Sequence, residues 1–229
     1  MGYAITLILM LAVYSFGIWA LRYIKKERLF TVLFPFLIFL AYLYCVNHIA
    51  GQVGTKDWNF TNALPTANVS PFMYCVTPFI FLFPKRVQKY LYTLVSLLSF
   101  GLLCAGGITC VFNIARNYKF HFNIALDSVM HAALSFYGVY LVKSGRSVLD
   151  RKTCLISGGI ILSVATTMLV LNLALHTSFF GLSLYGNHNI YNFVVSESGY
   201  ISAGIYFLGL GAVLCMGALY QRILSRRKK

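Results

Sequence analysis

The stretch FNIALDSVMHAALSF, Phe122–Phe136, decides how this chain is read. It opens an apolar run that continues through YGVYLV to Val142, about the length that a helix needs to cross a bilayer. Inside that run stand Asn123, Asp127 and His131, spaced i, i+4, i+8, so the three share one helical stripe with Ser128 and Ser135 close by. Residues four apart on a helix are neighbours at about 6 Å, which puts a carboxylate–imidazole hydrogen bond within reach. An ionisable pair at that depth is costly in hydrocarbon and marks either a functional site or a polar bond between helices. If functional, Asp127 orients the ring and His131 takes or gives a proton.

The rest of the chain has the same character. Of its 229 residues, 59% are hydrophobic and 10% are charged, where a soluble domain carries roughly 25% charge. Hydropathy broken by basic turns gives an all-α, polytopic bundle of seven transmembrane helices in one domain over 1–229. The expected spans are 3–24, 29–50, 64–84, 90–113, 122–142, 153–176 and 198–221. The first run has no basic residue before it and Lys25-Lys26-Glu27-Arg28 after it, so it reads as a span and not as a signal peptide.

The net charge of +14 is a topology signal. Sixteen of the 19 Lys and Arg fall on one face, and only Lys56, Arg116 and Lys119 on the other. The positive-inside rule makes the first face cytoplasmic, with the N-terminus outside and the C-terminus inside. Basic residues beside headgroups point to membrane lipids as partners and away from nucleic acid. The histidines and asparagines gather in the outer half instead, and a multi-pass protein of the cell membrane, bacterial by its short loops and basic tail, is expected.

The outer polar residues beyond span five come from three places. Span three opens with Thr66, Asn68 and Ser70 and carries Pro71 and Pro78, which kink a helix. Span two ends at His48. Loop six, 177–197, supplies His188 and Glu197. Asn123, Asn68, Thr66, Ser70, His48, His188 and Glu197 are therefore the expected binding residues around a catalytic His131 and Asp127.

No spacing supports a metal site, and no cofactor motif is present: there is no Walker loop, and span seven has no lysine for a Schiff base. The six cysteines are scattered without a CxxC pair. The glycines Gly106-Gly107, Gly158-Gly159 and Gly209/Gly211 are expected at close helix contacts.

Four segments carry a further likeness: Leu64-Pro65 before span three, HAALSFYGVYLV from His131 to Val142 with a short basic turn after it, Asn172 ending span six, and YGNHNIYNF at 185–193. In these the chain resembles the YwaF-like family of bacterial integral membrane proteins, over most of its length. Distant eukaryotic relatives of that family are proposed to act on phospholipid acyl chains with a His and a small nucleophile. The resemblance implies that role for His131; it maps no nucleophile onto this chain, and Thr66, Ser70 and Cys75 are candidates by proximity alone. The chain departs from the family after Leu-Pro, where His and Cys are replaced by Ala67 and Val69.

Three functions stay open on the sequence. One is a membrane enzyme acting on a lipid-linked or acyl substrate, a hydrolase or acyltransferase. Another is a small-solute binding or transport protein. The third is an accessory subunit of a cell-envelope system, with a membrane protein as partner.

Overall fold

The computed structural model describes residues 1–24, 27–50, 69–175 and 199–226. Among the described residues the chain is helical throughout, with no strand. We label the helices α1 (Gly2–Ala20), α2 (Glu27–Ala50), α3 (Val69–Val76), α4 (Lys85–Ala115), α5 (Phe122–Lys143), α6 (Arg151–Leu175) and α7 (Gly199–Arg226), with a 3-10 segment Thr77–Leu82 between α3 and α4. Six of them, all but α3, are long and apolar enough to cross a membrane. Their outward faces carry bare apolar side chains such as Ile8, Leu37, Ile108, Leu155 and Leu208. Such faces suit lipid and not water, and the chain is built as a multi-pass membrane protein.

The expected third span, 64–84, is described from Val69 onward and is not one continuous α-helix. It is α3 followed directly by the 3-10 segment. Pro78 enforces the change, because it has no N–H to give and its ring crowds the carbonyl four residues back. At about 1.5 Å per α residue and 2.0 Å per 3-10 residue, the 14 residues Val69–Leu82 rise roughly 24 Å, short of a 30 Å hydrocarbon core.

α5 is the centre of the bundle. It is the least apolar of the six long helices and the most buried, and it packs against α1, α2, α4 and α7. This ordering is what lipid dictates: the helix with the most polar side chains gains most from protein neighbours, while the greasier helices face the acyl chains. Its pairing with α4 is the most extensive in the fold. Gly138 of α5 fits where a Cβ would meet Ser99 Cβ at 2.7 Å, and Gly106 of α4 lies where a Cβ would meet His131 Cβ at 3.0 Å. Ser96 Oγ donates to the Gly138 carbonyl at 2.9 Å, and the buried Gln221 of α7 donates to Ser99 Oγ at 2.6 Å, tying three helices together.

α2 runs through Pro35 without ending. Pro35 leaves the Thr31 carbonyl without its usual helical donor, and the hydroxyl of Tyr137 on α5 supplies one at 2.8 Å. The Thr31 hydroxyl meets the Tyr140 hydroxyl at 3.0 Å. A proline defect in one helix is thus repaired by a tyrosine of the central one, as buried backbone groups require.

The glycine expectations divide. Gly106 packs closely, as above. No described atom lies within 4 Å of a Cβ placed on Gly159, Gly209 or Gly211, and Gly158 meets Leu214 only at an ordinary 3.5 Å. α7 approaches α4 through Gly217, where a Cβ would collide with the Leu97 carbonyl. Small residues on a lipid-facing surface carry no packing information, and pairs in sequence do not reveal which face meets a neighbour.

The ends of α5 are fixed locally. Gly145, at φ +74°, closes the helix in the left-handed conformation that glycine adopts without strain, and Arg146 N–H returns to the Leu141 carbonyl at 3.0 Å. Asp150 then caps α6: its carboxylate accepts the Thr153 N–H at 2.9 Å and the Thr153 hydroxyl at 2.6 Å.

Candidate functional site

His131 is placed by its own helix and by α3. On α5 its ring turns inward, and only 8% of the side chain is exposed. On α3, Ser70 and Tyr74 stand four residues apart, hence on one face. Both face α5, and the imidazole enters between them. Ser70 Oγ lies 2.8 Å from Nε2, and Tyr74 Oη lies 2.8 Å from Nδ1. One helical turn therefore holds both nitrogens of one ring.

The protonation pattern follows from the acceptors. Nδ1 is also 2.8 Å from the backbone carbonyl oxygen of Asp127. A carbonyl oxygen has no proton to offer, so the hydrogen on that contact belongs to Nδ1. A neutral ring with Nδ1–H has its lone pair on Nε2, and Ser70 Oγ–H is the donor there. The Tyr74 hydroxyl donates to Asp127 Oδ1 at 3.2 Å and presents its oxygen to Nδ1–H. In this arrangement the one Nδ1–H is shared between the Asp127 carbonyl oxygen and the Tyr74 oxygen.

Asp127 is the wetter member, with 42% of its side chain exposed. Its Oδ2 stands 3.5 Å from Nδ1, an ion-pair distance and too long for a good hydrogen bond. Asp127 lies about 8 Å along α5 from its first residue, at about 1.5 Å per residue, and His131 about 14 Å. Asp127 thus lies toward one end of the bundle, and His131 near the middle of the 22-residue helix. Below the cluster the surroundings are apolar: Tyr74 packs edge-on to His131 at 5.8 Å and against the Tyr42 ring of α2 at 5.7 Å. Met73, Met130 and Leu134 continue the same core.

Of the expected site residues, the structure brings His131, Asp127 and Ser70 together. Asn123 is half-buried one turn from Asp127 and, among the described residues, hydrogen-bonds to neither Asp127 nor His131. Asn68, Thr66, His188 and Glu197 lie outside the described residues, as does the side chain of His48. Cys75 follows Tyr74, turned away from the face that carries Ser70 and Tyr74, and is half-buried against the core. Among the described residues no three His, Cys, Asp or Glu side chains converge as metal ligands.

Tyr74 is the residue that sequence reasoning missed. The signal for it was present: a tyrosine inside an apolar span must find a partner for its hydroxyl, and this one stands four residues from Ser70.

No family model, no curated protein and no solved structure matches this chain.

Proposed function

We propose that the chain is a membrane-embedded enzyme that transfers or hydrolyses an acyl group of a lipid ester, with Ser70 as nucleophile and His131 as its base. The observation that carries this reading is the 2.8 Å contact from Ser70 Oγ to a ring nitrogen whose opposite nitrogen is engaged by the Asp127 carbonyl and by Tyr74. A serine hydroxyl bonded to an oriented imidazole is the arrangement that activates a weak nucleophile.

In the reaction Ser70 Oγ attacks the ester carbonyl carbon while its proton passes to His131 Nε2. The tetrahedral intermediate collapses, the C–O bond to the lipid alcohol breaks, and Nε2 returns the proton to the leaving alkoxide. Water or a second hydroxyl, deprotonated by the same nitrogen, then releases the acyl group from Ser70. A lipid substrate suits a site enclosed among apolar helices, with its wetter member, Asp127, toward one end of the bundle. The resemblance to the YwaF-like family points the same way, through His131.

The same reading places the site on the outer face of a cell membrane, bacterial by its loops and tail, in a seven-span bundle with the N-terminus outside. Three contacts support that parity. Tyr3 Oη accepts the His121 N–H at 3.2 Å, so α1 starts beside the end of α4. Thr31 meets Tyr140, so α2 starts at the opposite end. Thr93 Oγ1 accepts the Val148 N–H at 3.1 Å, so α4 starts at that opposite end too. The chain between α2 and α4 must therefore return across the bundle, and the α3–3-10 segment is the part described there.

The test is turnover by the purified chain in nanodiscs of mixed phospholipids, with acyl products followed by mass spectrometry. Ser70→Ala and His131→Gln are expected to lose about 100-fold or more while melting within a few degrees of the parent. Absence of turnover by the parent sinks the enzyme reading. Variants that fail to accumulate or melt far lower make the cluster a bond between α3 and α5, as in an accessory subunit.

A further inference from the structure

We propose that Tyr74 is a positioning residue that couples the Asp127 carboxylate to the His131 imidazole and keeps the Nε2 lone pair aimed at Ser70. The inference rests on the reading of Ser70 and His131 as nucleophile and base.

The geometry separates the carboxylate from the ring. Oδ2 of Asp127 is 3.5 Å from Nδ1, whereas Tyr74 Oη is 2.8 Å from Nδ1 and 3.2 Å from Oδ1. The carboxylate accepts the Tyr74 proton, which enriches the phenol oxygen as an acceptor for Nδ1–H. As the ring takes a proton from Ser70, the new positive charge is met by this polarised oxygen and, at ion-pair distance, by Asp127 Oδ2.

Tyr74 is suited to the task by its packing. It is 1% exposed, held between Met73, Tyr42 and the edge of the His131 ring. Because it shares one turn of α3 with Ser70, any movement of that turn carries both contacts together, so nucleophile and orienting group keep their spacing. The 3-10 change at Thr77 begins only after both have been delivered, and the Thr77 hydroxyl anchors the junction on the Met73 carbonyl at 2.6 Å.

The titratable groups around the ring are Asp127 of its own helix and Tyr74 of α3, with Tyr42 and Cys45 of α2 in electrostatic range of Tyr74. Gly106 of α4 and Met10 of α1 meet beside the His131 Cβ, and one turn further along those helices stand the buried Cys110 and the half-buried Tyr14 with its buried hydroxyl.

The probe is an alkyl fluorophosphonate, which bonds to an activated serine oxygen as fluoride leaves and the proton passes to the base. Labelling of Ser70 in nanodiscs is followed against pH by peptide mass spectrometry. Tyr74→Phe keeps the ring and removes one oxygen. It is expected to slow labelling about tenfold, the effect of losing one hydrogen bond to an ionising ring, and to move the rate inflection to lower pH, because the imidazolium loses support. Labelling of Tyr74→Phe at the parent's rate and inflection overturns the inference and leaves the enzyme reading standing. Failure of the parent to label at Ser70 sinks the enzyme reading itself. If Tyr74→Phe does not accumulate, 15N spectra of histidine-labelled parent and Asp127→Asn decide. A parent His131 in the Nδ1–H form, whose titration falls in Asp127→Asn, supports the coupling. An Nε2–H form, or a titration unmoved by Asp127→Asn, overturns it.

Discussion

Gly106 is the residue on which the position of His131 depends most directly. A Cβ there would stand 3.0 Å from His131 Cβ, from Met10 Sδ and from the Ser128 carbonyl oxygen. Met10 can swing away, but the two α5 contacts cannot, because one belongs to backbone and the other to the root of a side chain. Gly106→Ala is expected to push α5 outward by a few tenths of an ångström and to cost about 1–3 kcal/mol. It should slow Ser70 labelling more than the loss of melting temperature alone explains. At the other end of α5, Asp150 gives a pH-dependent prediction. The Thr153 hydroxyl, then the Thr153 N–H, hold its carboxyl below the ordinary value of 3.8. A group whose pKa is lowered on folding stabilises the fold above its ordinary pKa, and that stabilisation is lost as pH falls through the folded value. Asp150→Asn should therefore melt below the parent at neutral pH, and the gap should begin to narrow near pH 4 and close below the folded value. A gap that does not narrow with acidification at all refutes the cap. At this scale the pairing of Asp127 with His131 was legible because it is local, one turn on one helix. Ser70 was one of several candidates around His131, and Tyr74 was not named at all, since they stand 61 and 57 residues from His131 and meet it only through tertiary packing.

The helices themselves were the most legible part of the fold, because a long apolar run between charged turns has few alternatives in lipid. What the runs did not reveal is how proline is accommodated. Pro71 and Pro78 were both expected to kink span three, yet Pro71 lies in the first turn of α3 and only Pro78 marks a change of helix type. Pro35 is buried within a continuous α2, and its structural answer lies on another element, in Tyr137. That dependence can be measured by a double-mutant cycle. Tyr137→Phe removes the donor to the Thr31 carbonyl in a buried setting and is expected to cost about 1–2 kcal/mol. In a Pro35→Ala background the backbone N–H regained at that position can serve the same carbonyl, so Tyr137→Phe should cost little. Equal costs in both backgrounds would mean that Tyr137 is valued for its ring and not its hydroxyl.

On the scale of the whole molecule, two gradients run through one structure. Polarity increases inward, toward α5, because lipid surrounds the bundle. Basic charge is gathered at one end and the His131 cluster lies toward the other, because the two faces of a membrane differ. The first gradient explains why the helix with Asp127 and His131 is enclosed by four others. The second predicts an orientation, and the contacts that pair Tyr3 with His121 and Thr93 with Val148 make it testable at two points. Lys119 belongs to the end that holds Tyr3, and Lys152 to the end that holds Val148. With the six native cysteines replaced, Lys119→Cys should react in intact cells with a membrane-impermeant maleimide, and Lys152→Cys only after the membrane is opened. Neither substitution disturbs the charge bias much, since 15 or 16 of the remaining 18 basic residues stay on the face expected to be cytoplasmic. The reverse labelling pattern would place His131 toward the cytoplasm. On the proposed enzyme reading, the substrate would then come from the inner leaflet.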